Sequence, residues 1–304
     1  MSARRLPALL TRVFLLAFFA LVVTGLFVTY PFPSWLVFLP LVLAWVAGIA
    51  GGRLASRDLK AARRDAVEVL PPVAGRWSAI NSPADRVPSH GVHTYGQTYA
   101  IDIVAEKQER QERQERQEGQ AGHEGQGGQD AEGAAEGAAE RPAFAWLWPL
   151  ARRPEAFPAF GAPLFAVADA KVVTAVDTQR DHLSRNSLLG LAYLLLAEGE
   201  LRGLAGAHRV FGNRIVLDLG DGTYAAYAHV RRGSLQVRAG DTVRAGQRIA
   251  RCGNSGNSTE PHVHFQLMDH PDLDRARGIP FRWRGIGVPA NGEAFTAEGA
   301  VRPG

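Results

Sequence analysis

Two histidines near the end of the sequence have the spacing of a metal site. They lie in the run Pro261-His262-Val263-His264-Phe265. Alternate residues of a β-strand share a face, so His262 and His264 would point to one place while Val263 and Phe265 enter the core. Imidazole suits Zn²⁺, and a catalytic zinc takes three protein ligands and keeps one position open. Taken alone, the pair is also compatible with ordinary surface or core histidines.

Three other features strengthen the metal hypothesis. His229 ends a predicted strand in the run Tyr227-Ala228-His229-Val230. His93 and Asp102 flank a stretch that contains a turn. The polar loop at 253–259 leads directly into the histidine pair, and a glycine-containing loop can approach a substrate backbone closely. Together these residues offer the ligands and proton carriers that a hydrolytic metal site needs.

The order of motifs in this region resembles the M23, or lysostaphin/LytM-like, metallopeptidases. The similarity is carried by Tyr-Ala-His-Val at 227–230, Val-Arg-Ala-Gly-Asp-Thr-Val-Arg-Ala-Gly-Gln-Arg-Ile-Ala at 237–250, and Gly-Asn-Ser-Gly-Asn-Ser-Thr-Glu-Pro-His-Val-His-Phe at 253–265. It covers about Asn213 to Met268 well and residues 90–104 more loosely. The resemblance implies an antiparallel β-sheet domain of the duplicated hybrid motif type, with Zn²⁺ as its cofactor.

The same resemblance implies a role for five residues. It makes His93, Asp102 and His264 the zinc ligands, and His229 and His262 a catalytic pair that does not bind the metal. Zinc polarises a scissile carbonyl and lowers the pKa of its water, and a neutral histidine can take the proton. The second histidine of the pair can stabilise an oxyanion or protonate the leaving amine. The sequence does not distinguish these two roles.

Two departures from the family pattern affect the first ligand and the catalytic loop. The family usually has a short His-x-x-x-Asp motif, whereas this chain has the longer His-x-x-Gly-x-x-Tyr-Ala-x-Asp spacing of some branches, from His93 to Asp102. His90, three residues earlier, is therefore a rival first ligand. Glu260 stands where the family often has glycine before Pro-His-x-His-Phe.

The resemblance implies a zinc metalloendopeptidase that hydrolyses peptide bonds of bacterial peptidoglycan. A first alternative is a membrane-tethered LytM-like domain that binds or regulates without catalysis, although such members typically lack some of the five residues. A second is a biotinyl/lipoyl-like carrier, based on the hairpin at 237–250 and on Lys171, which leaves the histidine pair unused. A third is a protease that faces the cytoplasm.

Hydrophobic patterning predicts a mainly β fold with helical additions. Strands are expected at 214–219 and 223–230, joined by the hairpin signal Gly220-Asp221-Gly222, and further short strands follow up to Met268. A leucine-rich helical insertion is expected at 183–204, packed by default on the sheet.

The first part of the chain predicts a membrane region at 1–64. Two apolar runs, 13–30 and 35–50, are expected to be transmembrane helices joined by a proline-rich turn. A cleaved signal peptide followed by a buried helix is the alternative. The peptidase domain is expected at 65–288, with a C-terminal tail at 289–304.

Membrane topology is a point on which two signals disagree. Arginines flank the pair of runs on both sides, which favours a cytoplasmic domain by the positive-inside rule. A peptidoglycan substrate requires the opposite face. The expected location is the bacterial cell membrane with an extracytoplasmic catalytic domain, reached if only the run at 13–30 spans, since Pro40 interrupts the second, or if the hairpin is inverted.

The amino-acid composition and net charge of the chain limit the classes of partner that it is expected to bind. Residues 107–142 have no aromatic or branched apolar side chain, which predicts a disordered, low-complexity insertion in a surface loop. The net charge is +4 without a dense basic tract, so nucleic-acid binding is not expected, whereas an anionic polymer such as the cell wall suits a basic surface. The single cysteine, Cys252, cannot form an intrachain disulfide. Peptidoglycan peptide and the membrane are the expected partners.

Overall fold

The structure is a computed structural model that describes residues 5–61, 64–106, 141–194 and 198–298. The predicted insertion at 107–142 lies outside these residues except for its last two. The chain divides into two compact units, Met1–Arg64 and Asp65–Gly304.

The first unit is helical. Helix α1 (Arg5–Thr24) and helix α2 (Leu39–Ala61) are joined by a turn and a short 3₁₀ helix, Ser34–Phe38. Within the described residues, one helical stretch, Ser34–Leu54, is long and apolar enough to cross a bilayer, with a mean hydropathy of 2.0. Leu9–Thr24 is a shorter apolar helix.

The boundaries of both predicted membrane helices need correction. The helix expected at 13–30 begins at Arg5 and ends at Thr24, because the chain turns there and the Tyr30 hydroxyl donates back to the Leu21 carbonyl at 2.7 Å. The helix expected at 35–50 runs on to Ala61. Pro40 does not interrupt it, since this proline occupies the first turn, where a missing N–H costs no helical hydrogen bond.

The second unit is mainly β. Its strands are β1 (Val67–Val69), β2 (Gly75–Asn81), β3 (Ile101–Ala105), β4 (Pro163–Phe165), β5 (Ala170–Val176), β6 (Arg214–Asp218), β7 (Tyr224–Ala228), β8 (Thr242–Val243), β9 (Arg248–Arg251), β10 (Val263–Met268), β11 (Gly278–Ile279), β12 (Phe281–Trp283) and β13 (Ala294–Ala297). Its helices are α3 (Leu188–Tyr193), α4 (Gly199–Leu204) and α5 (Ala207–Phe211).

An antiparallel sheet organises the second unit, as predicted. Across the described residues it has nine strands, in the order β13-β2-β3-β10-β7-β6-β5-β8, with β11 paired to β10. The predicted hairpin is confirmed between β6 and β7, where the Thr223 amide donates to the Gly220 carbonyl at 2.9 Å. Strands β1 and β12 form a separate two-stranded sheet, and β4 and β9 form another.

The larger hydrophobic cluster of the second unit forms along one face of the central strands, and a smaller one lies on the opposite face. Tyr227 of β7 and Phe265 of β10 are fully buried, and their rings pack edge to face with centroids 5.4 Å apart. Val263 is buried in the same cluster. The predicted alternation of the histidine strand is therefore confirmed, because its apolar residues enter the core.

The prediction of a C-terminal tail at 289–304 is wrong for the described residues of this segment. Residues 294–297 form strand β13, which pairs with β2 in antiparallel register, Phe295 opposite Trp77. Phe295 packs on Trp283 with ring centroids 5.3 Å apart. A strand of four residues is difficult to predict from sequence, because it contains too few residues to show an alternating pattern.

The leucine-rich segment at 183–204 does not pack as expected. Helix α3 begins at a Ser187 N-cap, whose hydroxyl accepts from the Gly190 amide. Leu194 is buried, but Leu188 and Leu189 of the first turn are exposed. Part of the apolar face therefore points to solvent.

Candidate metal centre

The centre is built on neighbouring strands of the sheet. Asp102 of β3 lies directly opposite His264 of β10, and Ala228 of β7 lies opposite His264 on its other side. Directly paired residues of antiparallel strands point to the same face, so the aspartate and histidine side chains meet. His264 Nδ1 is 2.8 Å from Asp102 Oδ1, and both side chains are buried.

His90 completes the cluster from the segment that precedes β3. Its Nε2 lies 2.9 Å from Asp102 Oδ2, and its ring centroid is 4.9 Å from that of His264. One ligand atom from each of His90, Asp102 and His264 lies within 4.8 Å of the other two. Two imidazole nitrogens and a carboxylate oxygen form a donor set typical of catalytic zinc.

His93, the first ligand implied by the family resemblance, is not in this cluster. It precedes the 3₁₀ turn Thr94–Tyr99, and its Nδ1 contacts Thr98 Oγ1 at 3.1 Å. Inside this turn Tyr95 and Gly96 adopt positive φ angles of 61° and 76°. The turn separates His93 from Asp102, whereas the Ser89 hydroxyl, which donates to the Ala100 carbonyl at 2.6 Å, holds His90 next to the start of β3.

The hydrogen-bond partners of His90 leave a nitrogen lone pair for a cation. Because the Ser89 hydroxyl donates to the Ala100 carbonyl, it accepts from His90 Nδ1 at 3.0 Å. The His90 Nε2 lone pair then faces a carboxylate oxygen that is also only an acceptor. Two acceptors at this distance require a proton or a metal ion between them, so this half of the site fits a bound cation.

His264 is oriented in the same way from the other side. The Gln266 amide nitrogen donates to the Tyr95 carbonyl at 2.8 Å, which turns its oxygen toward His264. That oxygen accepts from His264 Nε2 at 3.1 Å, so Nδ1 faces Asp102 without a proton. Partners that fix the tautomer of a metal-binding histidine are a regular part of zinc sites.

The electrostatics keep Asp102 ionised. Burial alone would raise the pKa of this carboxyl group, but the charges of His90 and His262 and the hydrogen bonds of His262 and His264 hold it well below its usual range. Burial lowers the pKa of His264, although the neighbouring Asp102 carboxylate favours the protonated ring and opposes the effect. Asp102 is therefore a carboxylate, the form in which it can bind a metal ion.

His229 enters the site through an unusual backbone conformation. It follows the last residue of β7 and has a φ angle of 59°, in the left-handed region that few residues other than glycine adopt. Its amide donates to the Phe211 carbonyl at 3.0 Å, and its carbonyl accepts from the Gly253 amide at 3.0 Å. These bonds hold the strained conformation, which points the ring to a position 5.9 Å from that of His264.

His229 and His262 form a pair beside the metal cluster, with ring centroids 4.7 Å apart. His229 Nδ1 contacts the Ser255 carbonyl at 2.7 Å, and His262 Nδ1 contacts the Glu260 carbonyl at 2.8 Å. Since a carbonyl only accepts, each Nδ1 carries a proton. Nε2 is thus the nitrogen of each ring that can exchange a proton, and that of His262 lies beside Asp102 Oδ1.

The two histidines of this pair differ in their pKa. Burial lowers the pKa of His229 well below its usual range, and the charges of His262 and His264 lower it further. Burial would also lower the pKa of His262, but the charge of Asp102, whose Oδ1 is 3.5 Å from His262 Nε2, raises it overall. His229 is therefore a neutral imidazole near pH 7, and His262 holds a proton more readily.

The polar loop at 253–259 supports the site instead of facing solvent. Asn254, Ser255 and Ser258 are buried and bond to the backbone around them. A Cβ on Gly256 would lie 2.5 Å from the Gly212 amide nitrogen, so only glycine permits this crossing of two chain segments. The loop positions His229 through the Ser255 carbonyl.

Glu260 links the polar loop at 253–259 to the segment that follows residue 140. Its buried carboxylate pairs with the Arg141 guanidinium and accepts from Asn186 Nδ2 at 3.3 Å. Its carbonyl is the acceptor for His262 Nδ1. A cavity of about 300 Å³ opens beside it, with Phe144 and Arg185 in its walls.

Sequence reading missed the residues that orient the ligands. Ser89 and Gln266 fix the histidine tautomers, and Asn81 Nδ2 donates to Asp102 Oδ2 at 2.8 Å. A polar residue two places after His264 on the same strand face was the one available signal, since it shares the histidine's side of the sheet.

Comparison with known proteins adds a family. Residues 196–275 match the sequence profile of Peptidase family M23. Glycyl-glycine endopeptidase ALE-1 of Staphylococcus capitis is 45% identical over 58 residues, which is 19% of this chain and 16% of the relative. Murein hydrolase activator NlpD of Escherichia coli is 35% identical over 78 residues, 26% of this chain and 20% of the relative.

A solved structure is also similar. It is the catalytic domain of the antimicrobial peptidase lysostaphin from Staphylococcus simulans, at 24% identity and a TM-score of 0.26, covering 45% of this chain and 85% of that one. The chain spans only about a fifth or less of the length of the curated relatives it matches.

Proposed function

The chain carries a domain of peptidase family M23, and from that membership we propose that it is a zinc-dependent endopeptidase that hydrolyses peptide bonds of bacterial peptidoglycan. The observation that carries the proposal is the convergence of His90, Asp102 and His264 beside the His229–His262 pair. Ligands for one metal ion beside two proton carriers are an arrangement suited to metal-assisted hydrolysis.

In this proposal His90, Asp102 and His264 hold the zinc. His90 replaces His93 as the first ligand, because its Nε2 lies 2.9 Å from the shared aspartate. A zinc ion bound there supplies Lewis-acid polarisation of the scissile carbonyl and a water of lowered pKa. Ser89 and Gln266 hold the two imidazoles with their lone pairs toward the ion.

The catalytic pair divides the proton transfers. His229, whose pKa is lowered by burial, is neutral and accepts a proton at Nε2 from the attacking water. His262, whose pKa is raised beside Asp102, retains its proton and donates to the developing oxyanion or to the leaving amine. The carbonyls of Ser255 and Glu260 keep both Nε2 atoms directed into the site.

The names of two relatives support the proposed substrate class. The ALE-1 relative is a glycyl-glycine endopeptidase by name, and the NlpD relative is a murein hydrolase activator. Murein, in the second name, is the peptidoglycan of the bacterial cell wall, and the excess of arginine in this chain suits an anionic polymer.

A non-catalytic regulatory role is the second candidate, because the NlpD relative is named as an activator. The deciding experiment incubates the purified full-length chain in detergent with purified peptidoglycan and measures released amines. We expect release that is abolished by a chelator and restored by zinc. Zinc binding without release, together with stimulation of a separate hydrolase, would replace the peptidase proposal with the regulatory one.

We further propose that the first unit anchors the chain in the bacterial cell membrane, with the peptidase domain outside the cytoplasm. The apolar stretch Ser34–Leu54 has the length to span a bilayer. Protease treatment of intact protoplasts, followed by detection of the C-terminus, tests the topology. Digestion only after the membrane is broken would place the domain in the cytoplasm and exclude peptidoglycan as the substrate.

A further inference from the structure

Two adjacent segments of the second unit expose an unusual density of large apolar side chains. Trp146, Leu147 and Trp148 are 75%, 63% and 79% exposed. We call these residues, with three exposed leucines nearby, the tryptophan patch: Trp146, Leu147, Trp148, Leu150, Leu188 and Leu189. A soluble domain seldom exposes contiguous apolar groups of this size unless they contact something.

The patch is one surface because hydrogen bonds join its two segments. The Leu188 amide donates to the Ala145 carbonyl at 3.0 Å, and the Ser187 hydroxyl donates to the Leu150 carbonyl at 3.0 Å. Arg152 and Ser184 exchange a pair of backbone hydrogen bonds at the base of the loop. The exposed side chains therefore stand on a loop tied to a capped helix start.

The two segments that carry the patch contain basic residues and no acidic ones. Residues 141–153 and 183–194 contain four arginines, Arg141, Arg152, Arg153 and Arg185, and no acidic residue. Arg141 and Arg185 pair with glutamates outside these two segments. Arg152 and Arg153 directly follow the tryptophan loop. Tryptophan and leucine bordered by arginine are the composition of a surface that lies in the headgroup region of an anionic bilayer.

Two features of the sequence bear on what covers the patch. Residues 107–140 contain no aromatic or branched apolar side chain, so they cannot bury it. The candidate membrane helix ends at Leu54, and β1 begins at Val67. Helix α2 continues to Ala61, so only the chain from there to Val67 can extend, by about 20 Å at most. A tether of this length keeps the domain at a high effective concentration near the lipid surface, where a weak contact suffices.

We propose that the tryptophan patch is a membrane-interface contact that lays the peptidase domain on the surface of an anionic bilayer. The inference rests on the proposed membrane anchoring. The contact has a consequence for the site, because the segment that carries the patch is joined to the catalytic loop. The Arg185 amide donates to the Thr259 carbonyl at 2.5 Å, three residues before His262. Docking would hold the cleft at a set height above the lipid.

The test uses the full chain reconstituted in vesicles of phosphatidylcholine and phosphatidylglycerol. An environment-sensitive fluorophore is attached through Trp148→Cys, and through Thr242→Cys on the exposed edge strand β8 as the matched control. The native Cys252 does not compete for label, since it is buried and burial raises the pKa of its thiol.

We expect lipids that carry a quencher in the upper acyl chain to quench the label at 148 and not the label at 242, because interfacial side chains reach about 5–10 Å into the boundary. In vesicles of phosphatidylcholine without phosphatidylglycerol, the same quencher lipids should quench the label at 148 several-fold less. Equal quenching in both lipids would contradict the anionic part of the proposal. Quenching of position 148 by aqueous iodide, as at position 242, would overturn the contact.

Two other outcomes would also overturn the inference. A label at 148 protected from both lipid and aqueous quenchers would indicate a protein partner or a second copy of the chain. Extraction of the chain from vesicles by alkaline carbonate would remove the anchoring premise. Zinc content and hydrolysis are measured on the same samples, so a chain that docks without cutting refutes only the proposed peptidase function.

Discussion

The two sides of the candidate metal centre reach the same point by different routes. Asp102 and His264 are opposite residues on paired strands, and their contact follows from the register of β3 and β10. His90 comes from an irregular segment, and its position depends on the Ser89 hydroxyl and on a turn with two positive φ angles. Strand geometry repeats every two residues and can be read from spacing, whereas a loop has no period to read.

The catalytic pair shows the same contrast. His262 precedes β10 by one residue and shares the face of His264, as alternation requires. His229 follows β7 and reaches the site because its backbone takes a φ angle of 59°. The metal cluster and the histidine pair thus each combine strand-placed residues with one histidine placed by irregular backbone.

The largest expected effect comes from the strand side of the metal cluster. Asp102→Ala and His264→Ala should each abolish stoichiometric zinc binding and hydrolysis. Each substitution removes one metal ligand and the contact it makes with another ligand of the cluster. Zinc per chain is measured by mass spectrometry on the full-length protein in detergent, with exposed His208→Ala as the control. Full zinc retention in both variants would rule out the cluster as the metal site.

The loop side of the cluster is tested by a matched pair. His90→Ala should lose zinc as fully as the strand variants, whereas His93→Ala should keep it, because His93 contacts Thr98 and not Asp102. The same zinc measurement distinguishes them. The opposite result would restore His93 as the ligand and show that the turn at 94–99 rearranges when metal binds.

The catalytic pair should separate metal binding from turnover. His229→Ala and His262→Ala are expected to keep zinc and to lose peptidoglycan hydrolysis by about 10²-fold or more each, the usual contribution of a positioned acid or base. Release of amines from purified peptidoglycan measures the rate. If either variant cleaves at the parental rate, the histidine replaced in it has no catalytic role.

The smallest effects should come from the residues that orient the ligands. Ser89→Ala on the loop side and Gln266→Ala on the strand side should each weaken zinc affinity about 10-fold, because the imidazole tautomers are no longer fixed. Competition with a fluorescent chelator measures the affinity. Thr98→Ala, which removes the contact of His93, serves as the control and should leave the affinity unchanged. A larger loss in the control than in Ser89→Ala would argue against His90.

Much of the fold was predictable because it depends on periodic patterns. The β6–β7 hairpin, the histidine strand β10 and the antiparallel sheet all follow from alternation and glycine turns. The short edge strand β13 and the exposure of Leu188 and Leu189 were not predictable. Edge pairing and the packing of an amphipathic segment depend on distant parts of the chain, which leave no mark on the local sequence.

The sequence by itself determined that His262 and His264 share a face, that Asp102 and His229 belong to the same constellation, and that zinc is the metal to expect. Only the tertiary structure decided which histidine before β3 meets Asp102. His90 and His93 are the same residue type three positions apart, and both precede the same turn. A hydrogen bond from the Ser89 hydroxyl to the Ala100 carbonyl, eleven residues later in the chain, places His90 instead of His93 beside Asp102. Long-range hydrogen bonds of this kind exist only once the chain is folded.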